Sequence, residues 1–210
     1  MPGGQRIWPR KRGTNSAPAR WLARRRRAAV LRLDIAAAVS SAPRGLCALK
    51  GTQATVPITG ANAKRVLFGA INLRTAHRVV LIRPRAGAAD AQAFLREIRR
   101  RYRTAGTIWL LADRASAHTA ARTQMLAAAL AIRFVWLPKQ APELNAMDQL
   151  WRELKRLIAA NRQATSVNAL ASDAADWVLG LNPQQARRKA GMASEHFWLR
   201  NLVGDFWPPT

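Results

Sequence analysis

The chain has 210 residues, nearly half of them apolar, enough for one domain of ordinary size with a core of its own. No apolar run is long enough to span a bilayer, and no apolar stretch follows the basic N-terminus as a signal peptide requires. A single cysteine, Cys47, excludes an internal disulfide framework and fits a reducing cytoplasm. Thirty-five Lys and Arg against eleven Asp and Glu leave a formal charge of +24, a self-repelling excess that calls for a polyanion. Nucleic acid is the first candidate and an anionic membrane surface the second. Arginine outnumbers lysine heavily, which suits bidentate phosphate contacts and equally suits a GC-rich genome, so the charge points to a partner and not to a chemistry.

Residues 1–27 carry nine arginines and lysines and no acid, and they lack apolar periodicity. They read as a disordered basic arm for nonspecific phosphate contact, ending in Arg24, Arg25, Arg26 and Arg27. AAVLRLDI (28–35) alternates as a short strand, with Arg32 and Asp34 on its polar face. Residues 36–63 are irregular, with one short strand expected near Ala54–Ile58. KRVLFGAINL (64–73) and HRVVLIRP (77–84) form an antiparallel hairpin. AGAADAQAFLREIRRRYR (86–103) is a helix that buries Ala91, Phe94, Leu95 and Ile98. TIWLLAD (107–113) and IRFVWL (132–137) read as buried strands, separated by a helix over 116–131 with Ser116 as its N-cap. LNAMDQLWRELKRLIAAN (144–161) is helical, with Leu144, Met147, Leu150, Trp151, Leu154 and Leu157 as its apolar stripe. Helices over 166–181, capped by Ser166, and 182–191, with Asn182, Pro183 and Gly191 as its start and stop, complete the order. Mixed strands followed by alternating β and α predict an α/β fold, a mixed sheet with helices on both faces.

With acids so scarce, three stand out by position: Asp34 on the first strand, Asp113 at the C-terminal end of a buried strand, and Asp148 at a helix start. Strand ends of this kind are where α/β sheets place ligand sites. Carboxylate oxygens are hard ligands for Mg²⁺, and a pair of such ions promotes phosphodiester cleavage. Each acid also has a purely structural reading. Asp34 reads as an exposed strand residue beside Arg32, Asp113 as the opening of a turn or a partner of Arg114, and Asp148 as the third residue of a helix capped by Asn145, where an acid suits the dipole. Periodicity and spacing do not choose between these readings.

The stretch LPKQAPELNAMDQLWRELKR (137–156) resembles the PxYSPELNPIExxWxxLK signature of DDE transposases, in the bacterial insertion-sequence branch of the mariner superfamily. Pro142, Glu143, Leu144, Asn145, Trp151 and Lys155 match, and the family's third acid falls on Asp148. TIWLLADRASAHTA (107–120) is similar to the second-acid motif through Asp113 and His118, with Arg114 in place of the usual asparagine. Thirty-four residues separate Asp113 from Asp148, an interval characteristic of that superfamily. The similarity extends over about residues 30–202, including the hairpin region GTQATVPITGANAKRVLFGAINLRT, where Ala76 stands at a turn position that often holds glycine.

The resemblance implies a ribonuclease-H-like fold over 28–203, a tail over 204–210, and metal-dependent DNA cleavage and strand transfer. It assigns Asp34, Asp113 and Asp148 as catalytic ligands of two Mg²⁺ or Mn²⁺ ions. Asp34-Ile35 departs from the family's Asp-Glu at the first acid. Arg152, Lys155, Arg156 and His118 are candidate DNA contacts, beside the bland readings of a solvated helix face and a structural histidine. The expected partners are DNA (transposon ends and target) and either a second copy or a full-length transposase, with no membrane. The expected location is the bacterial cytoplasm, at the nucleoid. The helix-turn-helix region of full-length relatives is expected to be missing, as in a truncated copy or one product of a split gene. The alternative function is a noncleaving DNA-binding remnant that inhibits a full-length enzyme. An RNA- or membrane-surface protein would not bring the three aspartates together.

Overall fold

A computed structural model describes residues 29–35, 64–137, 145–159, 166–195 and 197, with 29–35 and 158–159 described by backbone alone. The basic arm with Arg24–Arg27, the strand expected near Ala54–Ile58, Cys47, Leu144 and the tail lie outside the described residues. Five strands form one mixed sheet: β1 (Ala29–Ile35), β2 (Val66–Asn72), β3 (Arg78–Arg83), β4 (Ile108–Ala112) and β5 (Ile132–Trp136), in the order β3-β2-β1-β4-β5. β1–β2 and β2–β3 are antiparallel, and β1–β4 and β4–β5 are parallel. Among the described residues six helices accompany them: α1 (Ala88–Arg101), α2 (Ser116–Thr119), α3 (Ala121–Ala129), α4 (Ala146–Ala159), α5 (Val167–Gly180) and α6 (Pro183–Lys189).

The pleat sorts the core into two layers. Leu67 and Ile71 of β2, Trp109 and Leu111 of β4 and Val135 of β5 pack with α4, α5 and α6. The alternate residues Phe68, Ala70, Ile108, Leu110 and Ala112 pack with Ala91, Phe94, Leu95 and Ile98 of α1, Ala117 of α2 and Ala127 of α3. Helices on both faces explain why β2 and β4 are fully buried and, apart from Asn72 at the end of β2, without polar side chains.

The hairpin, the α1 stripe and the caps of the last two helices follow the sequence expectations. Ser166 Oγ accepts from the Ala169 N–H at 3.1 Å, and Asn182 with Gln185 forms a capping box. Ala76 closes the β2–β3 turn at φ 58°, a left-handed conformation that suits glycine better. Asn72 Oδ1 supports the turn by accepting from the Arg74 and Thr75 N–H groups at 2.8 and 3.1 Å.

Four expectations are corrected. The helix over 116–131 is two helices, because Ala120 leaves helical geometry at ψ 132°. Gln124 Nε2 bridges the break by donating to the His118 carbonyl at 2.5 Å. Ser116 is the first helical residue rather than the cap, which is Ala115 and makes no side-chain cap bond. β5 is an edge strand, so it is buried only in part and Arg133 is exposed. Leu157 is 49% exposed, so the apolar stripe of α4 runs past the described surface that covers Met147, Leu150, Trp151 and Leu154. Among the described residues no helix is long and apolar enough to cross a membrane.

Candidate active site

The first two acid positions fall at the same end of two neighbouring parallel strands. Ala29 pairs with Ile108 and Arg32 with Leu111 in the parallel β1–β4 ladder. The last pair of that ladder is Arg32 with Leu111; Asp34 lies two residues further along β1, and Asp113 two residues further on, just after β4. Both positions lie at the C-terminal ends of the two central parallel strands. On its other side, Asp34 pairs with Gly69 of β2. The side chains of Met147 and Trp151, which flank Asp148 on α4, lie over Gly69. The first turns of α4 therefore cross the sheet beside Asp34.

Asp113 follows the last residue of β4 and its side chain is 60% exposed. Oδ1 accepts from the Ala115 N–H at 3.2 Å, an Asx turn that realises its turn reading, and from His118 Nδ1 at 2.9 Å. A carboxylate only accepts, so Nδ1 is the protonated nitrogen of that ring. His118 itself is fully buried, and its Nε2 meets no hydrogen-bonding partner among the described residues. Its ring stacks on Phe134 at 6.1 Å between centroids, and Phe134 stacks on Trp136 at 4.8 Å and 3° between planes. Of the two readings of His118, a buried ring hydrogen-bonded to Asp113 fits the structural one.

Asp148 occupies the first turn of α4. Asn145 Oδ1 accepts from the Met147 and Asp148 N–H groups at 3.1 and 3.2 Å, which realises the cap expected at Asn145. The Asp148 carboxylate, about one-third exposed, meets Arg152 Nη2 at 3.3 Å. Arg152, Lys155 and Arg156 are all exposed along α4. Arg156 also pairs with Glu153 at 2.9 Å, and Lys189 reaches the same acid at 3.8 Å. Arg24, Arg25, Arg26 and Arg27 lie outside the described residues.

The donor set is oxygen-only and solvent-accessible at Asp113 and Asp148, which fits a hard divalent cation. The Arg152 contact is a long i,i+4 ion pair at the surface, weak enough for a bound cation to displace. Among the described side chains, no group of three or more His, Cys, Asp or Glu is assembled; the Asp34 side chain is not among them. Sequence reasoning missed Gly69 and the Phe134 stack. The signal for Gly69 was a lone glycine inside a β-rich run, a mark of close backbone approach.

A mixed sheet in this order, with helices on both faces, is a ribonuclease-H-like fold. The chain belongs to the DDE superfamily endonuclease family, whose match spans residues 37–171, more than half its length. That span holds Asp113 and Asp148 and begins after Asp34. The chain is 29% identical over 120 residues to the insertion element IS630 uncharacterized 39 kDa protein of Shigella sonnei, covering 57% of this chain and 35% of that protein. Its fold is similar to the crystallised catalytic domain of Mos1 mariner transposase, with a TM-score of 0.61, 14% identity and 93% of each chain covered. It is also similar to the Mos1 paired-end complex with Mn, with a TM-score of 0.60, 15% identity and coverage of 98% of this chain and 68% of that one.

Proposed function

We propose that this chain is a transposase catalytic domain that cleaves DNA strands and transfers them, with Asp34, Asp113 and Asp148 holding two Mg²⁺ or Mn²⁺ ions. One observation supports the reading: Asp34 and Asp113 lie two residues past the last β1–β4 pair, at the same end of neighbouring parallel strands, and α4, with Asp148 in its first turn, packs Met147 and Trp151 over Gly69, the cross-strand partner of Asp34. Such a pair of ions, when bound, favours deprotonation of an attacking water or DNA 3′-OH and neutralises charge on the leaving oxygen. The protein's own part is geometric and electrostatic. His118 fixes the rotamer of Asp113 through Oδ1, and Asn145 fixes the helix start that carries Asp148. The exposed Arg152, Lys155 and Arg156 offer cations to a DNA backbone running along α4. In this reading residues 28–203 are the catalytic domain, 1–27 an arm that adds phosphate contacts through Arg24–Arg27, and 204–210 a tail. The partners are transposon-end and target DNA, and either a second copy or a full-length transposase, in the bacterial cytoplasm.

The test is nicking of supercoiled plasmid with Mn²⁺, for the unaltered protein and Asp113→Ala. The proposal predicts nicking that Asp113→Ala reduces by at least about 10³-fold, the scale of losing a group whose charge stabilisation is central to the reaction. Equal activity in the two proteins rules out this site. A second reading, DNA binding without cleavage that inhibits a full-length enzyme, is favoured by the family match beginning after Asp34. It predicts DNA binding and no nicking by either protein.

A further inference from the structure

Gly69 lies in the middle of β2, in a run otherwise composed of β-forming and apolar residues. A Cβ built on it would stand 2.3 Å from Trp151 Cζ2, 2.9 Å from Trp151 Cη2 and 2.6 Å from Met147 Cε. Carbon atoms in contact sit about 3.5–4.0 Å apart, so even one methyl group overlaps the helix side chains. Met147 ends in a flexible thioether that can move aside. Trp151 is 1% exposed, among the largest fully buried side chains, and packed into the layer beneath α4. A rigid ring so enclosed cannot yield without the helix.

The register gives this slot its chemical meaning. Gly69 is the cross-strand partner of Asp34. Trp151 and Met147 bracket Asp148, three residues after it and one before it. The same glycine thus adjoins the position of one acid and sets the height of the helix that carries another. Nothing in the backbone explains the glycine otherwise: it is not among the positions of positive φ, and it sits in a regular ladder between Phe68 and Ala70.

We infer that Gly69 is a positioning residue of the metal site: the missing side chain seats α4 against the sheet and so fixes the spacing of Asp148 from Asp34 and Asp113. This rests on the carboxylate reading proposed above. Gly69 makes no contact with metal or DNA; it acts through Trp151.

The test measures Mn²⁺ affinity by calorimetry, apart from any cleavage, in the full chain, Asp113→Ala and Gly69→Ala. The unaltered protein is expected to bind Mn²⁺ and Asp113→Ala to lose that binding. Gly69→Ala is expected to lose about 10- to 100-fold in affinity while keeping its far-ultraviolet circular dichroism, the range seen when groups that orient metal ligands are altered. A folded Gly69→Ala with unaltered affinity overturns the seat while leaving the carboxylate site standing. No Mn²⁺ binding by the unaltered protein overturns both. Where Gly69→Ala does not fold, the comparison moves to a Trp151→Leu background, which removes the ring atoms the methyl would meet. There the added methyl is expected to change affinity by less than about threefold, the tolerance of independent sites. A tenfold or greater fall in that background overturns the role assigned to Trp151 and with it the inference.

Discussion

The hydrogen bond from His118 to Asp113 decides what each of those residues does. Its 2.9 Å length, the Asx turn to Ala115 and the buried imidazole together leave the Asp113 carboxylate one preferred orientation. The stack on Phe134 holds the ring plane from behind. His118→Ala is expected to lower Mn²⁺-dependent nicking about 10- to 100-fold with DNA affinity retained, the pattern of a residue that orients a metal ligand. His118→Asn, whose amide can place an N–H near the original Nδ1, is expected to recover part of that loss. Equal losses in the two variants, or a matching loss of DNA affinity, contradict the orienting role. The sequence showed the histidine five residues after the acid, but not its depth. The break at Ala120, which ends α2 after one turn, was equally hidden. Nothing in the alanine-rich run 115–131 marks that break, since alanine favours a continuous helix.

At the scale of elements, strand and helix identities were legible wherever one face is buried and the other wet. The α1 stripe is such a pattern; the hairpin showed instead as two β-forming runs around a short polar turn, and the α5 and α6 caps as local capping residues. β5 was harder, because an apolar run does not tell a central strand from an edge strand; only the sheet order does. That Asp34 and Asp113 lie at the same end of neighbouring parallel strands was likewise invisible, since strand order and register are long-range properties. α1 carries a local electrostatic feature of its own. Hydrogen bonds from Arg100, and after it from Arg101, outweigh burial and hold the Glu97 carboxyl down at about 2. Because the folded value is depressed, the stability Glu97 contributes is present above about pH 4.5 and is lost as pH falls from there toward 2. Glu97→Gln is therefore expected to flatten the fall of unfolding free energy across that window and to leave the curve's shape unaltered above it. An unchanged acid limb in urea titrations contradicts the pairing.

For the molecule as a whole, the excess of +24 is not all available to a partner. Arg78 donates to the Val178, Leu179 and Leu181 carbonyls at the C-terminal end of α5, and Arg99 to those of Tyr102, Ala105, Gly106 and Leu130. Arg83 pairs with Asp90 at 2.7 Å. These arginines complete the fold, and composition alone could not separate them from the exposed ridge of Arg152, Lys155 and Arg156. Affinity for duplex DNA is expected to fall steeply with salt, and replacing those three by alanine to reduce the log–log slope by about 2–3, roughly 0.9 for each phosphate no longer neutralised. A slope unchanged by the triple replacement moves the DNA path off α4. The central claim, that the strand-end acids and the α4 acid form one metal site, is tested most directly by anomalous diffraction from crystals grown with Mn²⁺. Two peaks about 3.5–4 Å apart, bound by the carboxylates of Asp34, Asp113 and Asp148, are the expected result. Mn²⁺ bound elsewhere, with those three carboxylates out of its reach, contradicts it.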